Sequence, residues 1–322
     1  MTADYHLTEF DEADYEAMVR IAKAVRPDDF DSVEDHADWD ANAHRAGRQS
    51  SRWFATVDGE IAAFSRLGDS PWLSGPVRTA DITVHPDYQH QGIGRGLLER
   101  IESLARERGA ETLIGGTEEH REREIRFIEA AGYGEIDRDW RSTLDLDAFD
   151  SNVWRDVIDR VAASGIEILS AAELRTTTPD WIDRLYELYA EVEGDMPVQF
   201  PIDSMPRDDF EVLMLGRKML ADGFLVAIEG EELVGLTQPE RVDGEDDVIA
   251  QEMTGVAAKA RGRGIATALK VSSAIWAKDA GYRSIRTFNS QSNAPMLAVN
   301  EKLGFVKDYG FIEFRKDLLG GR

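Results

Sequence analysis

The chain has 322 residues, with 62 acidic side chains against 37 basic ones and a formal net charge of −25. That balance, without a basic face, argues against a nucleic-acid partner. The absence of cysteine excludes disulfides, thiol nucleophiles and thiolate metal sites. No apolar run approaches the ~20 residues that a membrane span needs, and charges interrupt the N-terminal segment, so a cytoplasmic protein with neither signal peptide nor membrane contact is expected.

The length allows two domains of about 150–160 residues, each able to bury its own core. The acidity fits either a salty cytoplasm, where self-repulsion is screened, or an ordinary acidic bacterial composition. Six scattered histidines show no ligand spacing, so no metal site is expected.

In chain order, Tyr5–Phe10 reads as a strand, and Met18, Ile21, Ala22 and Val25 mark a helix. Residues 26–40 form a dense acidic stretch, read as a solvated face. Trp53–Val57 and Ile61–Arg66 alternate around Asp58-Gly59, a hairpin signal repeated by Phe224–Ile228, Glu229-Gly230 and Leu233–Thr237. Leu97, Leu98, Ile101, Leu104 and Ala105 form one helical stripe, and 111–116 and 283–288 read as parallel strands. Thr143–Leu146 is expected to close a first sheet, and Val153–Ala163 to form a connecting helix. Gly165–Leu169 should open a second domain, and 191–210, with three prolines, should form a long loop.

Two stretches decide the organisation. Thr254-Gly255-Val256 ends a strand, and Arg261-Gly262-Arg263-Gly264-Ile265-Ala266-Thr267 turns into a helix. Such a turn aims several backbone N–H groups and the positive end of a helix dipole at one point, which suits a phosphate. The earlier stretch has Val84, Gln89, Gln91, Gly92, Ile93, Gly94, Arg95 and Gly96 in the same arrangement. Adding 172 carries Val84 to Val256, Gln89 to Arg261, Gly92 to Gly264, Gly109 to Gly281, Gly132 to Gly304 and Tyr133 to Phe305 without a gap. A chance turn would not keep register through a helix, a strand and a second helix, so the chain is an internal duplication. Other phosphate motifs fail: Leu97 stands where a dinucleotide fingerprint needs Gly or Ala, and no Gly-Lys-Ser/Thr follows either turn.

Both turns resemble the acyl-CoA motif of the GCN5-related N-acetyltransferase (GNAT) superfamily, Gln/Arg-x-x-Gly-x-Gly/Ala. The matches are Gln89-x-x-Gly92-x-Gly94 and Arg261-x-x-Gly264-x-Ala266. The segment Asn293 to Gly304-Phe305 is similar to that family's last helix and exit, and the two-copy layout resembles tandem members of the mycothiol-synthase type. The resemblance implies an α/β (α+β) fold of two tandem GNAT-like domains, each a mixed, mostly antiparallel sheet flanked by helices. They are placed at 1–150 and 164–322, joined by the 151–163 helix. It implies acetyl-CoA as cofactor, held by the two turns, by Thr254 and Val256 and by Asn293, for which a helix N-cap remains an equal reading.

Acetyl transfer to an amine needs a base, because an alkyl amine is almost wholly protonated at neutral pH. Glu252, four residues before Val256, is expected to share its face and stands where many family members carry that carboxylate. An exposed strand glutamate is the alternative. The family's tyrosine on the leaving-group side is replaced by Asn300, and by Ile128 in the first copy, which leaves the acid open. The first copy also has Arg121 in place of the last helix's asparagine. The expectation is therefore a catalytic second domain and a first domain that binds acyl-CoA without turning it over. The favoured function is an N-acetyltransferase acting on a small-molecule primary amine in a ternary complex, as monomer or homodimer. A protein or peptide N-acetyltransferase, or a non-catalytic acyl-CoA sensor, are the alternatives.

Overall fold

The computed structural model describes residues 4–10, 14–27, 31–197 and 203–319. They divide into two compact units that are not simple halves of the chain. The first takes residues 1–117, 121–136 and 312–322, and the second 118–120 and 137–311.

The first unit runs β1 (His6–Glu9), α1 (Tyr15–Val25), α2 (Val33–Arg45), β2 (Ser50–Val57), β3 (Glu60–Gly68), β4 (Val77–Val84), α3 (Ile93–Glu107), β5 (Thr112–Glu118) and α4 (Glu122–Ala130). The later part of the acidic stretch, from Val33, lies in α2, whose N-cap Ser32 makes a reciprocal capping box with Asp35. Asp58 and Gly59 both adopt positive φ, as a two-residue hairpin between twisted strands requires. Successive residues of β2 then face opposite ways. Trp53, Ala55 and Val57 pack with Leu97, Ile101 and Ala105 of α3. Phe54 packs with Met18 and Ile21 of α1. β4 runs antiparallel to β3 and parallel to β5, but its parallel register ends at Thr79 opposite Ile114. Beyond that pair the two strands are no longer bonded.

The second unit begins within β6 (Gly134–Asp145) and continues through α5 (Arg155–Ala163), β7 (Ile166–Ser170), α6 (Ala171–Thr177), α7 (Trp181–Gly194), α8 (Arg207–Leu213), β8 (Leu225–Glu229), β9 (Glu232–Val242), β10 (Glu245–Val256), α9 (Ile265–Asp279), β11 (Ser284–Ser290), α10 (Ala294–Leu303) and β12 (Val306–Asp317). The expected 191–210 loop is shorter than its sequence suggested, because α7 extends to Gly194 and α8 starts at Arg207. Residues 198–202 lie outside the described residues.

Thr143–Leu146 does not close the first sheet. Thr143 pairs with Arg286 and Leu144 with Ile285, so β6 lies beside β11 in the second unit. The first sheet is instead completed by the end of β12, whose Ile312 and Phe314 enter the first unit's core at 3% and 1% exposure. Alternation alone could not distinguish these pairings, since either strand satisfies the same apolar face.

Candidate functional site

The two turns are built alike. In each, a 3-10 turn follows the strand and a glycine in the left-handed region caps the helix, Gly92 at φ 86° and Gly264 at φ 82°. The Gln89 side-chain amide donates to the Val84 carbonyl at 3.1 Å, and Arg261 Nε donates to the Val256 carbonyl at the same distance. Gln and Arg at this position therefore do one job: a long side chain ties the turn back to the strand end and leaves the helix N-terminus open.

The surroundings differ. The first unit holds a cavity of about 450 Å³, lined by Val84, Gln89, Gly92, Ile93, Gly94 and Arg95 of the turn together with β4, β5, α4 and Phe314. Gln91 and Gly96 do not line it. The Gln91 amide donates to the Asp87 carbonyl, and a Cβ on Gly96 would meet the Tyr5 hydroxyl at 1.7 Å, so this glycine makes room for Tyr5. Sequence reasoning missed Arg26, His90 and Arg123, which join Arg95 around the turn. Arg95 has no ion-pair partner among the described residues, and Arg26 Nε is buried without a hydrogen-bond acceptor. In a chain this acidic, unpaired guanidinium groups beside a helix N-terminus suit a phosphate-bearing ligand such as a CoA thioester.

In the second unit the cations of the turn, which stand at other positions, already have carboxylates. Arg261 pairs with Asp195, Arg263 makes two 2.9 Å bonds to Glu229, and Lys259 pairs with Glu232. Gly262 has φ 75° within the turn, and Ile265 is buried in the core with Val256. Ala266 packs against that core, and Thr267 lies in the first turn of α9. The Asn293 side chain accepts from Met296 N at 3.3 Å, the N-cap geometry.

Glu252 is not on the face of Val256. Gln251 pairs with Pro239 and Thr254 with Thr237, so β10 carries one extra residue between them. The consequence is visible in side chains three residues apart. Gln251 donates to Thr237 Oγ1 at 2.8 Å and Thr254 Oγ1 lies 2.7 Å from the same atom. A regular strand would put them on opposite faces. The bulge turns Glu252 toward α7, where it joins Glu193 and Glu240 in raising the Tyr189 pKa, after the larger effect of burial. Glu252 keeps solvent access but is hemmed by protein. Desolvation raises its carboxyl pKa, and the charge of Lys218 opposes that shift. β4 has no such bulge against β3. The extra residue is invisible from the turns because the offset of 172 holds only downstream of it. Upstream, Thr79–Ile114 matches Ala250–Arg286, which puts Ala80 opposite Gln251.

Asn300 is 2% exposed, and its side-chain amide donates to Asn289 Oδ1 at 2.5 Å while its own Oδ1 has no partner. One of its two amide N–H donors is thus already engaged.

A profile of the Acetyltransferase (GNAT) family matches residues 15–133 and 183–305. The mycothiol acetyltransferase of Paenarthrobacter aurescens is 24% identical over 232 residues, which is 70% of this chain and 66% of the relative's length. That of Actinosynnema mirum is 27% identical over 269 residues, 80% of this chain and 81% of the relative. Among solved structures, a tandem GNAT protein from the clavulanic acid biosynthesis pathway superposes with a TM-score of 0.76 at 19% identity, covering 99% and 100% of the two chains. A GCN5-related N-acetyltransferase from Sphaerobacter thermophilus gives 0.69 at 20%, covering 100% and 98%. With two matched regions, a duplicated glycine turn and the tandem fold, the chain belongs to the GNAT acetyltransferase family and is a tandem acyltransferase.

Proposed function

We propose that the protein transfers an acetyl group from acetyl-CoA to a small primary amine by direct attack in a ternary complex, with Glu252 as the base. The observation that carries this reading is the bulge in β10. It places a carboxylate of raised pKa on one face of the strand, at the point where β10 and β11 separate, while the turn to α9 leaves the opposite face. A carboxylate of raised pKa takes a proton from an ammonium more readily than an ordinary one.

Acetyl-CoA would supply the acyl group as an activated thioester. The groups that would hold its phosphates are the backbone N–H groups from Arg261 to Thr267 in the second unit and the Gln89–Arg95 turn in the first. Asn300 is assigned no proton transfer. The residues just after α7 support a small acceptor over a protein chain: Ser292 Oγ donates to the Pro197 carbonyl at 3.5 Å, so Pro197 lies against the loop that follows β11.

The test is Glu252→Gln, assayed for acetylation of a panel of small amines and, separately, for acetyl-CoA affinity by calorimetry. A loss of about 10²–10⁴ in turnover with unchanged affinity is expected. Wild-type turnover in the variant removes Glu252 as the base. Binding without turnover in the wild type, on small amines and peptides alike, would favour the sensor reading.

A further inference from the structure

The first unit's cavity is apolar at the positions where the second copy is polar or bulky. Leu98, Ile128 and Gly116 line it, and adding 172 places Lys270, Asn300 and Phe288 there. Ala80, which also lines it, corresponds by strand register to Gln251. In the second copy Thr287, whose hydroxyl donates to the Gln251 carbonyl at 2.9 Å, stands where the first copy has Gly115, and Phe288 is 44% exposed.

The carboxylates that reach the first cavity already have partners. Asp81 accepts from Arg66 Nε at 3.1 Å and Nη2 at 2.9 Å. Glu124 accepts from the Thr117 hydroxyl and from Arg121. What remains for a ligand is an apolar wall reaching Phe314, which is 1% exposed, and unpaired guanidinium nitrogen at the turn. A matching ligand is anionic at one end and aliphatic at the other.

We propose that the first unit binds acyl-CoA thioesters whose acyl group is an aliphatic chain longer than acetyl, with Gly116 as the residue that admits the chain. This rests on the reading that the Gln89–Arg95 turn holds the phosphates of CoA. Gly116 brings no side chain into the cavity beyond the last β4–β5 pair, and a longer chain gains affinity by leaving water for that space. The two copies then differ in acyl specificity as well as in the bulge.

The test is calorimetric titration of the full chain with CoA, acetyl-CoA, hexanoyl-CoA and free hexanoate, in the wild type and in Gly116→Phe, the residue of the second copy. Each buried methylene is worth about a fourfold gain. Hexanoyl-CoA should therefore bind at least about tenfold tighter than acetyl-CoA, and Gly116→Phe should erase that difference without weakening CoA itself. Ile128→Asn, with melting checked by circular dichroism, should reduce the preference if Gly116→Phe does not fold. Equal affinity for the two thioesters, or a preference that survives a folded Gly116→Phe, overturns the proposal. Free hexanoate binding as tightly as hexanoyl-CoA also overturns it, since the site would then belong to a fatty acid. If CoA binds but chain length is without effect, only this inference fails; if no CoA species binds, the phosphate reading of the turn fails with it.

Discussion

Thr287 donates its hydroxyl to the backbone carbonyl of Gln251 at 2.9 Å, tying β11 to β10 where their regular pairing has just ended. Both residues are almost fully buried. Thr287→Val keeps the shape and leaves that carbonyl without the hydroxyl, so a loss of about 1–3 kcal/mol is expected in urea denaturation. At the equivalent place in the first unit, a Cβ on Gly115 would lie 2.7 Å from the Ala80 carbonyl. Gly115→Ala must push two backbones apart, and a loss of about 1–3 kcal/mol is expected there too. A neutral result at either position would show that the strands separate more freely than these contacts imply.

Gly255 and Val192 form a second close approach. A Cβ on Gly255 would sit 1.9 Å from a Val192 methyl, so α7 can lie on β10 only because position 255 has no side chain. Gly255→Ala is expected to cost about 1–3 kcal/mol, and pairing it with Val192→Ala should recover part of that loss. The four-protein denaturation cycle checks it. Strict additivity would mean that the two positions are not in steric conflict.

Lys270 is 3% exposed and its amine lies 5.3 Å from the centre of the Phe305 ring, while burial lowers its pKa to about 7. The unfolded chain holds this proton up to about pH 10.4. The unfolded state therefore binds more protons between about pH 7 and pH 10, and stability rises with pH across that window. Lys270→Leu, the first copy's residue, should flatten that slope and stabilise the protein by roughly 2–4 kcal/mol at pH 7. Thermal melts of both proteins from pH 6 to pH 10 (a range set by the about 7 and about 10.4 above) provide the check. An unchanged slope would mean that Lys270 reaches water on folding.

Asp139 titrates oppositely. Desolvation, then the charge of Asp137, pushes its carboxyl up to about 6. Its unfolded value is about 3.9. The folded state binds the extra proton between these values, so this group's contribution to stability is fully present below about pH 4 and lost as pH rises through about 6. Asp139→Asn should remove that decline and gain roughly 1–3 kcal/mol at pH 7 in chemical denaturation. A variant less stable than wild type at pH 7 would contradict the sign.

Much of this molecule is legible locally. The hairpin around Asp58-Gly59 follows from a backbone need for positive φ. The α3 stripe follows from helical periodicity, and both glycine turns read directly because each requirement lies within a few residues. Within the acidic 26–40 stretch, Ser32 and Asp35 carry a helix-start signal that net charge alone does not show. The Gly115-Gly116 pair marks a close strand approach at the first glycine and a cavity wall without a side chain at the second. The face of Glu252 could not be read by counting. The inserted residue shows itself only through the pairing of β10 with β9, and one residue inverts every alternation upstream of it.

The amino-acid sequence by itself determined the duplication, the two glycine turns and the superfamily, since those depend on short-range spacing repeated at a constant offset. Tertiary structure decided which strand completes which sheet, with β12 supplying Phe314 to the first unit and β6 pairing with β11 in the second. It also decided which turn keeps unpaired guanidinium nitrogen. Arg261 and Arg263 are neutralised by Asp195 and Glu229, residues 66 and 34 positions away, whereas Arg95 is not. The reason is physical: strand pairing and charge neutralisation are set by groups brought together across long loops, and apolar pattern and net charge are the same for several such pairings.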